Sequence, residues 1–309
     1  MKSEPESFHV STLVQPLTQP SVAAKSRLAV LGDLVKVRLT SLVLLTTAIG
    51  FYAGAPGPVD STQLWATLLG TALLAGGASA LNQYLERDLD ALMERTQDRP
   101  LPSGRMRPAA ALLFGGVCAL AGLLLLVWRV NLPAGLLGAL TLGLYVFVYT
   151  PLKRLTTLNT VIGAIPGALP PLLGWTAARG EITLAGWSLF LVQFFWQLPH
   201  FMAIAWLYRE DYGRAGFRML PVVDATGERT GQYAASHALG LLMASLSPFG
   251  FRVVGPAYLV GALALGSAFC WLTVRFARAR TPARARALFL GSIVYLPLLL
   301  GLMVVDKVR

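Results

Sequence analysis

Nine stretches of this sequence contain no Asp, Glu, Lys or Arg: 39–59, 61–85, 108–128, 130–152, 155–178, 182–208, 230–251, 253–274 and 287–305. The shortest has 19 residues and the longest 27. A helix rises about 1.5 Å per residue, so about 20 residues cross the roughly 30 Å hydrocarbon layer of a bilayer, and each stretch can span once. Backbone groups cannot be left unpaired in lipid, and these runs lack the alternation of barrel strands, so helices are the expected element. Composition agrees, with 55% hydrophobic and only 13% charged residues. The chain is expected to be an all-α integral membrane protein with nine transmembrane helices in one bundle.

Charge placement sets the expected topology. All but Arg129, Arg179, Arg252, Lys307 and Arg309 of the 26 basic residues fall before the first stretch or in the connections after stretches two, four, six and eight. By the positive-inside rule that side is cytoplasmic, which puts the N-terminus inside and the C-terminus opposite. The net charge of +11 is then mostly topology with some attraction to anionic lipid, and does not point to nucleic acid. Residues 1–27 have neither the apolar segment of a signal peptide nor the acid-poor character of a transit peptide, and read as a flexible cytoplasmic tail before a single domain over 28–309. Cys118 and Cys270 sit singly in apolar stretches with no metal or disulfide spacing, so both read as packing residues.

The acids are gathered, and their places are informative. Of 15, five (Glu86, Asp88, Asp90, Glu94, Asp98) follow the second stretch and four (Glu210, Asp211, Asp224, Glu228) follow the sixth. Both loops lie on the cytoplasmic side and occupy the same place in a four-helix unit. Two related four-helix halves plus a ninth helix are the expected organisation, each half giving one charged loop to a shared site.

If the second helix continues beyond the membrane edge, Asn82, Glu86 and Asp90 at i, i+4 and i+8 project from one face as a ladder of oxygen donors. Mg²⁺ favours hard oxygen donors and commonly bridges one or two carboxylates to substrate phosphates. Glu210 and Asp211 would approach from the other half. No His or Cys clusters there, so zinc and copper are poor candidates. Interleaved cations, Arg87, Arg95, Arg99, Arg209 and Arg214, add guanidinium forks suited to phosphate oxygens, and Lys153 and Arg154 could add further positive charge. A bare topological loop looks different, as Arg275–Arg286, with five basic residues and no acid, illustrates. Acids and cations together describe a site for a magnesium-bound phosphate ester at the edge of an apolar bundle. A diphosphate with a hydrocarbon tail, such as an isoprenyl diphosphate, fits that description.

The ladder resembles the Asn-x-x-x-Asp/Glu-x-x-x-Asp motif of the UbiA superfamily of intramembrane prenyltransferases, and "RTQDRPLPSG" is similar to its continuation. Within that superfamily "KVRLTSLVLLTTAIGF", "YTPLKRLTTLNTVIGAIPGALPPLLGW", "WQLPHFMAIAW" and "REDYGRAGFRMLPV" resemble the protohaem IX farnesyltransferases, the haem O synthases, over about residues 28–305. The resemblance implies magnesium held by Asn82, Glu86 and Asp90, with Asp211 beside Glu210 serving a second site. It implies Mg²⁺-assisted loss of diphosphate from farnesyl diphosphate, attack on the farnesyl cation by a vinyl group of haem B, and addition of water to give haem O. A haem A synthase would then be a downstream partner and the bacterial cytoplasmic membrane the location. Two departures stand out: Glu86 where many relatives carry Asp, and "YREDY" in place of the wider superfamily's Asp-x-x-x-Asp.

Phe194, Phe195 and Trp196 are candidate walls for the cation. His200 lies inside the sixth stretch, where an imidazole marks either a helix-to-helix hydrogen bond or a substrate contact, and the resemblance points toward the haem region. Lys36 and Arg38 read as snorkelling anchors, although the matching "KVRLT" suggests Arg38 faces a phosphate or haem propionate. Pro151, Pro166, Pro170, Pro171 and Pro199 are expected to kink helices four to six. Two other classes compete. A prenyltransferase for a quinone or chlorophyll precursor should lack "REDYGRAGFRML", and a transporter should carry acids at mid-membrane, whereas every acid here lies outside the nine stretches.

Overall fold

The computed structural model describes residues 25–308. Residues 1–24 of the expected tail, His9 among them, lie outside the described residues. Twelve helices follow in order: α1 (Arg27–Leu34), α2 (Val37–Gly54), α3 (Ser61–Asp90), α4 (Pro108–Arg129), α5 (Leu132–Leu152), α6 (Asn159–Arg179), α7 (Leu184–Leu207), α8 (Arg209–Arg214), α9 (Leu220–Val223), α10 (Glu228–Gly250), α11 (Pro256–Arg278) and α12 (Pro282–Val305). Among the described residues there is no strand, only an isolated bridge between Val254 and Lys307.

Eight helices, α2 to α7, α11 and α12, are long and apolar enough to cross a membrane. The remaining long helix, α10, has 23 residues and begins with the polar run ERTGQYAASH. Helix bounds differ from the charge-free runs for local reasons. Asp60 caps α3 by accepting from Thr62 N and Gln63 N, Thr281 caps α12 by accepting from Arg284 N, and Pro108, Pro256 and Pro282 open helices where no donor is needed. Helix α3 runs through Asp90 with no break, which carries its last acids into the structure rather than into a loop.

Close helix crossings bring the bundle together. A Cβ built on Gly50 of α2 would lie 2.0 Å from Pro171 O of α6, and one on Gly174 would lie 2.0 Å from Thr47 O. The two backbones therefore touch, as they do where Gly77 of α3 meets Ala119 and Gly115 of α4. Lipid offers little hydrophobic drive between helices, so such small-residue contacts and their dispersion energy hold the pairs. Helix α7 packs on α6, α10 and α12, and α2 packs on α3 and α6.

Several of the prolines lie within the long helices α5 to α7. Pro166, Pro170 and Pro171 lie inside α6 and Pro199 inside α7. Before Pro151, residues Leu144–Tyr149 form a π-helical turn, and Thr150 Oγ1 donates to Tyr145 O at 2.8 Å. A π turn inserts an extra residue and re-aims the side chains around it. Here it carries Tyr145 and Tyr149, which both line the cavity described next.

Candidate functional site

A cavity of about 340 Å³ lies between α2, α3, α5, α6 and α7, and Asn82, Glu86 and Asp90 line it. They are only 1%, 3% and 0% exposed, so this ladder is buried rather than part of a solvated loop. Charged groups are costly to bury unless paired. Each rung accordingly has its own cation. Lys36 Nζ donates to Asn82 Oδ1 at 2.9 Å, Lys153 Nζ donates to both Glu86 oxygens at 2.7 and 2.9 Å, and Arg99 Nη1 donates to both Asp90 oxygens at 2.8 and 2.7 Å. The Asn82 amide nitrogen donates to Thr150 Oγ1 at 3.1 Å, which leaves its carbonyl oxygen for the cation.

Lys36 is the residue that sequence reasoning underrated. It occupies the break between α1 and α2 in the left-handed region, with φ 51° and ψ 58°. A non-glycine residue there stores strain of about 1–3 kcal/mol and is kept only where surrounding structure imposes it. Gln83, the neighbour of Asn82, imposes it: its Nε2 donates to Asp33 O at 3.1 Å and Leu34 O at 2.7 Å, pinning the end of α1. Lys25 adds ion pairs to Asp33 and to Asp98 of the first loop at 2.9 and 2.8 Å. Burial first, and then Arg99 and Lys153, lower the Lys36 amine to about 7, while Glu86 and Asp90 act the other way. Arg38, two residues on, is exposed and does not line the cavity.

The second charged loop meets the first at one end of the bundle. Arg95 Nη2 donates to Tyr212 Oη at 2.9 Å, and Arg214 pairs with Glu94 at 3.3 Å and with Asp211. Arg95 lines the cavity, as do Arg99, Lys153, Tyr212 and Phe217. Asp211 and Glu210 do not; with Arg95 and Arg214 they line an adjoining groove of about 650 Å³ that also borders Trp206 and Arg286. Asp211 is turned to Arg214, three residues on, because α7 ends at Leu207 and the chain restarts as the short α8. Arg154 is exposed and Arg87 binds Tyr84 O, so neither reaches the cavity.

Deeper walls are aromatic and polar by turns. Gln193, Trp196, Gln197, His200 and Phe201 of α7 line the cavity. Phe194 and Phe195 do not: Phe194 packs against the core around Leu169 and Leu172, and Phe195 against Gly240. Residues four apart share a helix face, so Trp196 and His200 go together and their two aromatic predecessors turn away. His200 Nδ1 lies 2.7 Å from Ser292 Oγ of α12, and its ring stacks on Trp196 at 4.9 Å.

Among the described residues no three His, Cys, Asp or Glu side chains stand close enough to hold a metal by themselves. The ladder instead offers two carboxylates and one amide, all hard oxygen donors. That set leaves positions for water and phosphate oxygens, which suits Mg²⁺. The three cations beside it are placed to neutralise the oxygens in turn or to meet an anion entering among them.

Known proteins resemble this chain in sequence and in fold. Residues 43–296 match the UbiA prenyltransferase family. A protohaem IX farnesyltransferase of Solibacter usitatus is 45% identical over 284 residues, covering 89% of this chain and 97% of that protein. One from Koribacter versatilis is 40% identical over 308 residues, covering 96% and 99%. Among solved structures, a digeranylgeranylglyceryl phosphate synthase superposes with a TM-score of 0.77 at 16% identity, covering 90% of this chain and 98% of that one. A UbiA homologue from Archaeoglobus fulgidus bound to GPP and Mg²⁺ superposes with a TM-score of 0.64 at 17% identity, covering 89% and 99%. At such identities the superpositions speak for a shared fold, and the sequence relatives speak for the family. The chain is a prenyltransferase that belongs to the UbiA prenyltransferase family, among its protohaem IX farnesyltransferases.

Proposed function

We propose that this protein transfers the farnesyl group of farnesyl diphosphate to a vinyl group of haem B, with addition of water, giving haem O and diphosphate. The observation that carries the reading is the set of three donor–cation pairs, Asn82 with Lys36, Glu86 with Lys153 and Asp90 with Arg99, buried in one cavity. Together with relatives named for this reaction, it favours haem over a quinone or chlorophyll precursor as acceptor. "REDYGRAGFRML", at 209–220, supports the same choice.

Asn82, Glu86 and Asp90 would hold Mg²⁺, which when bound supplies Lewis-acid stabilisation of the departing diphosphate. With the metal and diphosphate bound, the oxygens of Asn82, Glu86 and Asp90 would serve the metal, and Lys36, Lys153 and Arg99 would be free to meet phosphate oxygens. Arg95, held over the rings of Tyr208 and Tyr212 at 5.1 Å each, guards the mouth. The allylic C–O bond breaks with both electrons leaving on diphosphate. Faces of Tyr145, Tyr149 and Trp196 keep water from the farnesyl cation until the haem vinyl group adds to it. The carbocation next to the porphyrin then takes water and releases a proton. Asp211 and Glu210, with Arg214, form a second acidic position at the mouth that Mg²⁺ could share; Arg38 and Arg154 serve the incoming headgroups from the exposed edge.

The same reading takes α10 as a ninth crossing, since it packs between α7 and α11, both long and apolar enough to span. Neighbour relations along α2–α5 recur along α6, α7, α10 and α11, which supports two four-helix halves with α12 as the ninth helix. The charged loops then face the cytoplasm, in the bacterial cytoplasmic membrane, with a haem A synthase as the downstream consumer. The test is incubation of membranes carrying the protein with haem B, farnesyl diphosphate and Mg²⁺, followed by mass analysis of the haem. A farnesylated, hydrated haem is expected; unaltered haem would count against the reading.

A further inference from the structure

The proposed reaction makes opposite demands on water. The farnesyl cation must meet none until the haem vinyl group has added, whereas the second cation, on the carbon next to the porphyrin, takes one. A water stored away from the charged mouth would satisfy both. Two glutamines of α7 point to such a store. Gln193 and Gln197 are 6% and 5% exposed, and both line the cavity. Gln193 stands 14 residues before the end of α7, roughly 21 Å from the charged mouth. A polar side chain at that depth is costly and marks function where no protein group pairs it. Neither amide atom of Gln193 has a hydrogen-bond partner among the described residues, yet neither is sealed off by packing.

The surroundings of the two amides fit one small polar molecule. Gln197 Nε2 donates to Ala164 O and Gln193 O at 3.2 and 3.1 Å, which leaves its Oε1 as a free acceptor. That oxygen lies against Gly167, where a Cβ would come within 2.0 Å of it. On α6 itself, Pro170 and Pro171 lack the N–H groups that would bond the carbonyls of Pro166 and Gly167, and both of those residues line the cavity. Beside Gln193 the cavity adjoins a void of about 10 Å³, close to the space of one water. Thr46 and Gln193 border both spaces, and Gly50, Pro171, Leu300 and Met303 close the void between α2, α6, α7 and α12. Thr46 Oγ1 donates to Val43 O at 2.9 Å, so toward a water it is an acceptor, while the Gln193 amide can both give and accept.

We propose that this niche holds the water that hydrates the second cation, bound by Gln193 and Thr46, with Gln197 Oε1 accepting from it on the cavity side. The inference rests on the reading that haem B is the acceptor. A lone pair of the water oxygen forms the C–O bond to the cationic carbon, and nothing is oxidised or reduced. The oxonium proton leaves to diphosphate, the base that the first step releases into the same cavity. Without a water in place, the cation loses a proton from the adjoining CH₂ instead, and the product is an alkene lighter by one water.

The test measures that partition. Membranes carrying the wild type, Gln193→Leu or Thr46→Val are incubated with haem B, farnesyl diphosphate and Mg²⁺, and farnesylated haem is resolved by mass into hydrated and dehydrated products. The wild type should give the hydrated product. Each substitution removes a neutral hydrogen bond to the water at nearly constant volume, so the ratio of dehydrated to hydrated haem should rise about three- to tenfold. Thr46→Val reads the same niche should Gln193→Leu not accumulate. A ratio unchanged from the wild type would overturn the inference even if total product fell, because a packing role lowers both products alike. Hydrated haem from the wild type would in that case leave the proposed function standing. A wild type that makes no farnesylated haem would overturn the niche and the proposed acceptor together.

Discussion

Replacing Lys153 by Met removes one cation while leaving the carboxylate it serves. Glu86 keeps a side chain only 4% exposed, and Lys153 Nζ contacts both of its oxygens at 2.7 and 2.9 Å. Breaking a buried pair by removing one partner costs about 3–5 kcal/mol, because a charge is stranded. Lys36 and Arg99 line the same cavity and offset part of that, so about 3 kcal/mol is the expected loss of stability without metal. Mg²⁺ should return most of it, since the metal can take the place of the amine. Thermal unfolding in detergent, read by reaction of Cys118 and Cys270 with a thiol probe, gives the assay. The stabilisation by Mg²⁺ should be larger in Lys153→Met than in the wild type and smaller in Glu86→Gln, which lacks the charge. Turnover gives an independent reading. A lost charge-assisted hydrogen bond to phosphate is worth about 1.5–3 kcal/mol, so kcat/KM for farnesyl diphosphate should fall about 10- to 100-fold. Equal responses to Mg²⁺ in all three proteins would refute the exchange of partners.

Other perturbations test separate parts of the account. Asp90→Asn keeps shape but not charge; product should fall at least about 100-fold while the protein still inserts, as membrane fractionation and product analysis would check. EDTA should stop turnover and Mg²⁺ should restore it, and undiminished activity in excess chelator would remove the metal from the mechanism. Gly50→Ala forces a methyl into Pro171 O, and the expected destabilisation of about 3 kcal/mol would appear as a lowered unfolding temperature with no change in metal response.

Charge-free runs revealed the long helices because burying a charge in lipid is so costly that its absence marks a span. The spacing of Asn82, Glu86 and Asp90 placed them on one face for an equally simple reason, the helical period. What escaped were features that no single run of residues encodes. Lys36 shared its snorkelling pattern with Arg38, and only the left-handed break pinned by Gln83 turns the lysine inward and leaves the arginine outside. Asp211 and Glu210 looked equivalent to the first ladder, but α7 stops short at Leu207, so they face a separate groove instead of the cavity. Phe194 and Phe195 were grouped with Trp196 by adjacency, although the face that carries Trp196 continues to His200. The burial of Asp90 follows from α3 running unbroken to its end with Arg99 folded back onto it.

The central claim is that a buried ladder on α3 exchanges its cations for magnesium when an isoprenyl diphosphate enters. It is tested most directly by an experimental structure with Mg²⁺ and a non-reactive farnesyl diphosphate analogue. The account predicts a metal about 2.0–2.1 Å from oxygens of the Asn82, Glu86 and Asp90 ladder, with Lys36, Lys153 and Arg99 moved onto the phosphates. A diphosphate seated in the groove beside Glu210 and Arg286, with the three ladder pairs still closed, would contradict it.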